Sequence, residues 1–294
     1  MKKLIFLILT LLLYYSVEAQ TPTRRALIIG IGAYQDTGWT NAYGDNDIPI
    51  IIEMLKANKF SENDIIQLKN NQATLHGIRQ SFATLLKQTQ KGDIVYIHFS
   101  GHGQQIYDHD GDEADEKDES FVAYDTPKGI DCENFDYNGE YHLIDDSIYN
   151  YLTQLYNKIG INGKIIFVND FCGSGSVDKG SSDDDESSAL RRNVGPYYRW
   201  NPPSNVKRNP NPKPEFWTYI GSCKDNQNSW SVDINGHYYG VLSYALYATR
   251  YSLSSSSLND ILSKITDIIQ RYSYIQTPVI RGKEDKLDHI FLFR

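Results

Sequence analysis

Hydrophobic positions in this chain follow two patterns. Short continuous apolar runs occupy 24–32, 94–99 and 164–168, as expected of strands buried on both faces of a parallel sheet. Between them, apolar residues recur every three or four positions. Ile48, Ile51, Ile52 and Leu55 line one side of a helix predicted over 47–57, and 74–90 reads as an amphipathic helix opening at a Thr74 cap. Shorter strand patterns fall at 64–68, 121–124 and 215–221, further helices at 145–158, 240–250 and 258–272, and a closing apolar segment at 290–293. Strands alternating with helices imply an α/β fold, a three-layer α/β/α sandwich with a mostly parallel central sheet. No internal repeat is present.

The stretch 179–214 breaks the alternation. It holds an acidic run, Asp183-Asp184-Asp185-Glu186, the pair Arg191-Arg192, and six of the ten prolines. Such a segment buries too little apolar surface to offset its ordering entropy, so a long mobile surface loop is expected there. At the N-terminus, Lys2 and Lys3 precede an apolar run over 4–13, and Val17-Glu18-Ala19 supplies the small residues of a cleavage site. This reads as a secretory signal peptide over 1–19, with Gln20 opening a single domain over 20–294. The alternative is an uncleaved N-terminal anchor, but the run is short for a membrane span. The expected location is therefore secreted or periplasmic, without a stable membrane anchor.

The formal net charge is -8, which argues against nucleic acid as the main partner, because phosphate binding needs clustered Lys and Arg. Acidic clusters at 108–119 and 183–186 point instead to cations or basic peptides. The cysteines are Cys132, Cys172 and Cys223. An odd number in an oxidising compartment leaves one unpaired or paired between chains, and whether Cys132 and Cys223 form a bridge stays open.

Two of the apolar runs end in a reactive side chain on a glycine-rich turn: Phe99-Ser100-Gly101-His102-Gly103 and Asp170-Phe171-Cys172-Gly173-Ser174-Gly175. Ligands of parallel sheets bind outside the carboxyl ends of the strands. One sheet edge thus receives both a thiol and an imidazole, a nucleophile and its base. Taken singly, Cys172 also suits a buried structural role and His102 a turn satisfied by backbone. The N–H groups of Gly103 and Cys172 are candidate oxyanion donors. In the acidic segment, Asp108, Asp110, Asp112 and Glu119 match first, third, fifth and twelfth places of a helix–loop–helix calcium loop, but Glu113 stands where that loop requires Gly.

These motifs in order, together with the opening Ala26-Leu27-Ile28-Ile29-Gly30-Ile31-Gly32, Asn46-Asp47 and Gly240-Val241-Leu242-Ser243-Tyr244, closely resemble the caspase-like clan, in particular the metacaspases and their bacterial relatives. The resemblance spans about 24–293 apart from the 179–214 stretch. It implies a caspase-like fold and a His102–Cys172 dyad cleaving peptide bonds through an acyl-enzyme. It further implies a specificity pocket drawing on Asp47, Ser100 and Asp170, hence substrates with Arg or Lys before the cleaved bond. Without the resemblance, Asp47 reads as a helix N-cap and Asp170 as a loop hydrogen bonder. A calcium site acting as activator is implied at Asp118, Asp145, Asp146 and, one residue off the usual spacing, Asp178. A monomer is implied rather than a dimer.

The chain departs from the family pattern in two further places. Gly173 replaces the His usual after the nucleophile, and Gly44 replaces a Cys that forms one pocket wall. Arg191-Arg192 offers a self-cleavage site to a protease of this preference, with Lys179 and Lys207-Arg208 as alternatives; equally, these arginines serve as counter-charges to the acidic run. The expected function is a secreted, calcium-activated, caspase-like cysteine endopeptidase. Its rivals are a catalytically silent caspase-like module that binds a peptide or partner, and a secreted calcium-binding protein whose thiol is incidental.

Overall fold

A computed structural model describes residues 22–107, 117–128, 140–171, 189–191, 216–224, 227–272, 276–282 and 292–293. The leader 1–19, Cys132, Cys172, Gly173, Asp178, Lys179, Arg192 and Lys207-Arg208 lie outside the described residues, as does the acidic segment up to position 116.

The chain enters through strand β1 (Arg24–Gly30), helix α1 (Asp47–Ala57), β2 (Ile65–Lys69), α2 (Leu75–Gln88) and β3 (Ile94–Ser100). A small antiparallel sheet follows, β4 (Gly103–Tyr107), β5 (Lys117–Val122) and β6 (His142–Ile144). Then come α3 (Asp145–Ile159), β7 (Lys164–Asp170), β8 (Ala189–Arg191), β9 (Thr218–Gly221), β10 (Trp230–Ile234), β11 (His237–Gly240), α4 (Val241–Ala248), α5 (Leu258–Tyr272) and β12 (Val279–Arg281). The central sheet runs β12-β9-β7-β3-β1-β2 and is parallel except where β12 pairs with β9.

Because successive side chains of a strand point to opposite faces, β1, β3 and β7 each feed two cores. Leu27, Ile29, Val95, Ile97, Phe99, Ile165 and Phe167 meet α2 and α3 on one side. Ala26, Ile28, Tyr96, Ile166 and Val168 meet α1, α4 and α5 on the other. The fold is the three-layer α/β sandwich expected of the sequence. Among the described residues, no helix is long and apolar enough to cross a membrane.

The structure departs from the pattern-based reading in four places. The strand expected at 121–124 runs instead over Lys117–Val122, because it pairs in register with Gly103–Tyr107 and the charged half of the segment is drawn into that ladder. Within the stretch 179–214, Ala189–Arg191 forms a strand on β10. A hairpin, β10–β11, occupies a region where only the Glu215 strand and the 240–250 helix were expected. Its turn carries Asn235 at φ 56 and Gly236 at φ 84, the left-handed pair a two-residue hairpin needs. Finally, β12 forms after Pro278, pairing antiparallel on β9.

Candidate active site

The parallel register aligns the strand ends: Gly30 lies opposite Ser100, and Ser100 opposite Asp170. His102 and Cys172 each follow two residues after one member of the Ser100–Asp170 pair.

His102 is fully buried. Its backbone N–H donates to the Tyr34 hydroxyl at 2.6 Å, and its carbonyl accepts from the Val122 N–H at 3.0 Å. The ring forms a cluster with Tyr34 and Trp39, centroids 5.2 and 5.8 Å away. Trp39 is itself tied down, its indole N–H donating to the Thr126 carbonyl at 2.8 Å. Nε2 of His102 lies 2.8 Å from the Thr40 carbonyl oxygen, which can only accept. Nε2 therefore carries the hydrogen, and Nδ1 is the basic nitrogen of the neutral ring. A side chain at Gly101 would meet the Tyr34 hydroxyl at 3.0 Å and Phe121 at 3.1 Å, so this glycine allows the aromatic support to close on the turn. The peptide between His102 and Gly103 is trans, so the Gly103 N–H points opposite to the His102 carbonyl, which faces β5, and is directed away from that strand.

On the α1/α4 face, two buried carboxylates are held by matching sets of donors. Asp47 accepts from the Ser100 hydroxyl at 2.5 Å and the Gly240 N–H at 2.9 Å. It does not cap its own helix: the α1 N-cap residue is Asn46, whose side chain makes no capping bond. Asp170 accepts from the Ser229 hydroxyl at 3.1 Å, and from the Ser243 N–H and hydroxyl at 2.8 and 2.6 Å. Gly240 and Ser243 belong to the first turn of α4, so both anions sit at the positive end of that helix. Ser231 of the hairpin donates to the Ala42 carbonyl at 2.9 Å, and Asn46 to the Tyr238 carbonyl at 2.9 Å, which joins the hairpin to the α1 loop. A Cβ at Gly44 would lie 2.3 Å from the Ser100 carbonyl oxygen. At Gly44 backbone packs directly on backbone.

A second carboxylate group gathers where β5 meets the start of α3. Asp145 is pushed up to about 8 by burial first, then by the negative charge of Glu119, Asp118 and Asp146, against one favourable hydrogen bond from the Asp146 N–H. Asp118 is fully buried. The donors are hard oxygens carrying excess negative charge, which suits a divalent cation such as calcium. Among the described residues, no three metal-ligating side chains converge into a cluster able to hold an ion. Beside them, burial pushes His142 down to about 3, and its Nε2 lies 2.8 Å from Gln104 Oε1. Elsewhere, Cys223 is a buried free thiol with Sγ 3.2 Å from the Gln227 carbonyl oxygen.

The structure thus brings Asp47, Ser100 and Asp170 to one end of α4, sets His102 and Gly103 at the adjoining strand end, and holds Asp118, Asp145 and Asp146 apart beside β5. Pattern reading missed Tyr34, Trp39 and Thr40, which carry no signal recognisable in an isolated loop. It also missed Ser229 and Ser231, although Asn235-Gly236 between alternating apolar positions announces their hairpin.

The caspase domain family matches residues 23–286. The chain belongs to the caspase family. Within it, the likeness runs to metacaspases: it is 32% identical over 172 residues to metacaspase-1 of Plasmodium falciparum, covering 56% of this chain and 25% of that protein. It is 29% identical over 170 residues to metacaspase-1A of Aspergillus oryzae, covering 55% of this chain and 37% of that one. The chain thus spans a quarter to somewhat over a third of the length of these relatives. Among solved structures, a Geobacter sulfurreducens protein superposes with TM-score 0.63 at 21% identity, covering 92% of this chain and 98% of its own. Caspase-1 of Spodoptera frugiperda superposes with TM-score 0.54 at 15% identity, covering 90% of each chain. Both show the shared fold.

Two predictions concern protonation in this caspase-family chain. Nitrogen NMR of the histidine-labelled chain is expected to show neutral His102 as the Nε2–H tautomer; a dominant Nδ1–H signal contradicts the Thr40 contact. The second concerns stability against pH. Asp145 keeps a proton in the fold that the unfolded chain releases, so its contribution is lost as pH rises from about 4 to about 8. His142 acts oppositely, its contribution being lost as pH falls from about 6.5 toward 3. Above about pH 6.5, of the two, only the Asp145 slope remains, at most about 1.4 kcal/mol per pH unit. Melting curves in chelator between about pH 6.5 and 8 should fall for wild type and flatten for Asp145→Asn; parallel curves would refute the assignment.

Proposed function

We propose that this caspase-family chain is a secreted cysteine endopeptidase that cleaves after Arg or Lys by a His102–Cys172 dyad. The observation that carries the reading is the pair of buried carboxylates, Asp47 at the start of α1 and Asp170 at the end of β7, both held by donors at the start of α4. In this reading both carboxylates line the pocket for the substrate side chain, and a cationic group is the partner such acceptors recognise. Ser100, which donates to Asp47, completes the pocket.

In the reaction, His102 Nδ1 takes the proton of the Cys172 thiol, and the thiolate attacks the scissile carbonyl carbon. The oxyanion that forms is met by the N–H groups of Gly103 and Cys172. His102 then returns the proton to the leaving amine, and the C–N bond breaks to leave a thioester. Water, deprotonated by the same Nδ1, hydrolyses the thioester and restores the thiol. The Thr40 carbonyl favours this sequence by holding Nε2–H and stabilising the imidazolium between steps.

Calcium in this reading would be held by Asp118, Asp145, Asp146 and Asp178, and binding would have to draw together carboxylates that, among the described residues, do not themselves converge into a cluster. Calcium is an activator in this reading, and the enzyme acts as a monomer. The experiment is an assay of the chain from Gln20 onward on fluorogenic peptides ending in Arg, Lys or Asp, with calcium or with chelator. Cleavage after Arg or Lys, lost in Cys172→Ala and reduced in chelator, is expected. Cleavage after Asp would reject the pocket assignment. A folded chain silent on every peptide would favour the partner-binding module.

Self-cleavage after Arg191 belongs to the same reading. What supports it is the backbone of β8, antiparallel to β10 with Arg191 opposite Trp230. Trp230 lies between Ser229, which donates to Asp170, and Ser231. Extended peptides commonly bind by adding a strand to an edge in this way. Purified wild type is expected to be nicked between Arg191 and Arg192, and Arg191→Ala to stay intact there by mass spectrometry. A nick at Lys179 or at Lys207-Arg208 in wild type would reassign the site.

A further inference from the structure

One polar row crosses the otherwise apolar layer under α4. Tyr96, His98 and Ser100 alternate on β3 and so face the same side. The Tyr96 hydroxyl lies 2.9 Å from His98 Nδ1, and His98 Nε2 lies 3.0 Å from the Ser243 hydroxyl oxygen. That hydroxyl donates to Asp170 at 2.6 Å. Tyr96, His98, Ser243 and Asp170 all have essentially no exposure to solvent.

The direction of this chain follows from counting hydrogens. Ser243 has a single hydroxyl hydrogen, and it goes to the Asp170 carboxylate. Its oxygen must then accept from His98, so Nε2 carries a hydrogen and Nδ1 is left to accept from Tyr96. The Tyr96 hydroxyl keeps the hydrogen it donates to Nδ1, since burial first and the Asp170 charge second push its ionisation well above its ordinary value.

We propose that His98 is a positioning residue for specificity: through Ser243 it holds the Asp170 carboxylate in the orientation that receives the substrate cation. The proposal rests on the Arg or Lys reading of the pocket. A relay of this kind polarises each successive bond, and in the orientation observed Asp170 accepts from Ser229 on one oxygen and from Ser243 on the other. Losing it weakens recognition of the cation while leaving the nucleophile and its base in place.

The test compares a peptide ending in Arg with its neutral isostere ending in citrulline, so that only the charge of the side chain differs. His98→Phe keeps the bulk and removes both ring nitrogens. His98→Gln keeps an N–H where Nε2 stands, and His98→Asn is polar but too short to reach Ser243. The ratio of kcat/KM for Arg over citrulline is expected to fall roughly 10- to 100-fold in His98→Phe and His98→Asn, carried by KM. In His98→Gln it should stay within about threefold of wild type. A general loss of fold lowers both substrates together and leaves the ratio unmoved, and where His98→Phe does not fold, the His98→Asn and His98→Gln pair decides. Equal ratios in all variants overturn the positioning role with the pocket reading intact. A wild-type ratio near one overturns the pocket reading and the proposal with it.

Discussion

Hydrogen-bonded register between parallel strands is the constraint on which this molecule is organised. Once Gly30, Ser100 and Asp170 are locked into one row, the turns beyond them leave the sheet side by side, and side chains at fixed offsets become neighbours. Ser100 faces α1 because it is two residues from His98 and four from Tyr96, all on one side of β3. Asp170 faces the same layer beside it. The loop between β1 and α1 must then cross the strand ends, and it brings Tyr34, Trp39 and Thr40 onto His102.

That row is electrically expensive. A carboxylate removed from water without partners loses several kcal/mol of hydration, and the layer holding Asp47 and Asp170 is otherwise built from Ile28, Ile48, Val168, Val241 and Leu242. The offset comes from geometry: two serine hydroxyls on Asp170, one on Asp47, and two backbone N–H groups from the first turn of α4. The arrangement couples both carboxylates to the packing of α4, since a shift of that helix would strip donors from both anions at once. The carboxylates beside β5 are less well served. Asp145 is buried and crowded by like charges, which together hold its ionisation well above the usual carboxylate range.

The helices and the strands buried on both faces were legible because their signals are local. Periodicity placed Asp47–Ala57 and Leu258–Tyr272 at their observed bounds, and the run ending at Asp170 marked β7. The antiparallel pieces were harder. Lys117–Val122 opens on charged residues and becomes a strand only through its partner. Ala189–Arg191 has no strand signal of its own and acquires extended backbone from β10. Of the site, His102 was legible from its glycine-bounded turn after a buried strand, whereas Ser100, Asp47 and Asp170 were singled out only by the family resemblance. Ser229 and Ser243 were hidden, because a serine looks alike at the surface and against a buried carboxylate.

By itself, the sequence determined which chemistry is present and on which turns: an imidazole and a thiol after glycine-bounded strands, acidic residues flanking them, and a layer pattern that only an α/β sandwich satisfies. Hydrophobic periodicity and turn residues act over a few positions, so these features need no knowledge of the rest of the chain. Tertiary structure decided the direction of every proton. Which nitrogen of His102 is basic depends on Thr40, 62 residues earlier, and which way His98 points its hydrogen depends on Ser243, 145 residues later. Hydrogen bonds discriminate over tenths of an ångström between groups remote in sequence, and only the folded chain brings them to that distance.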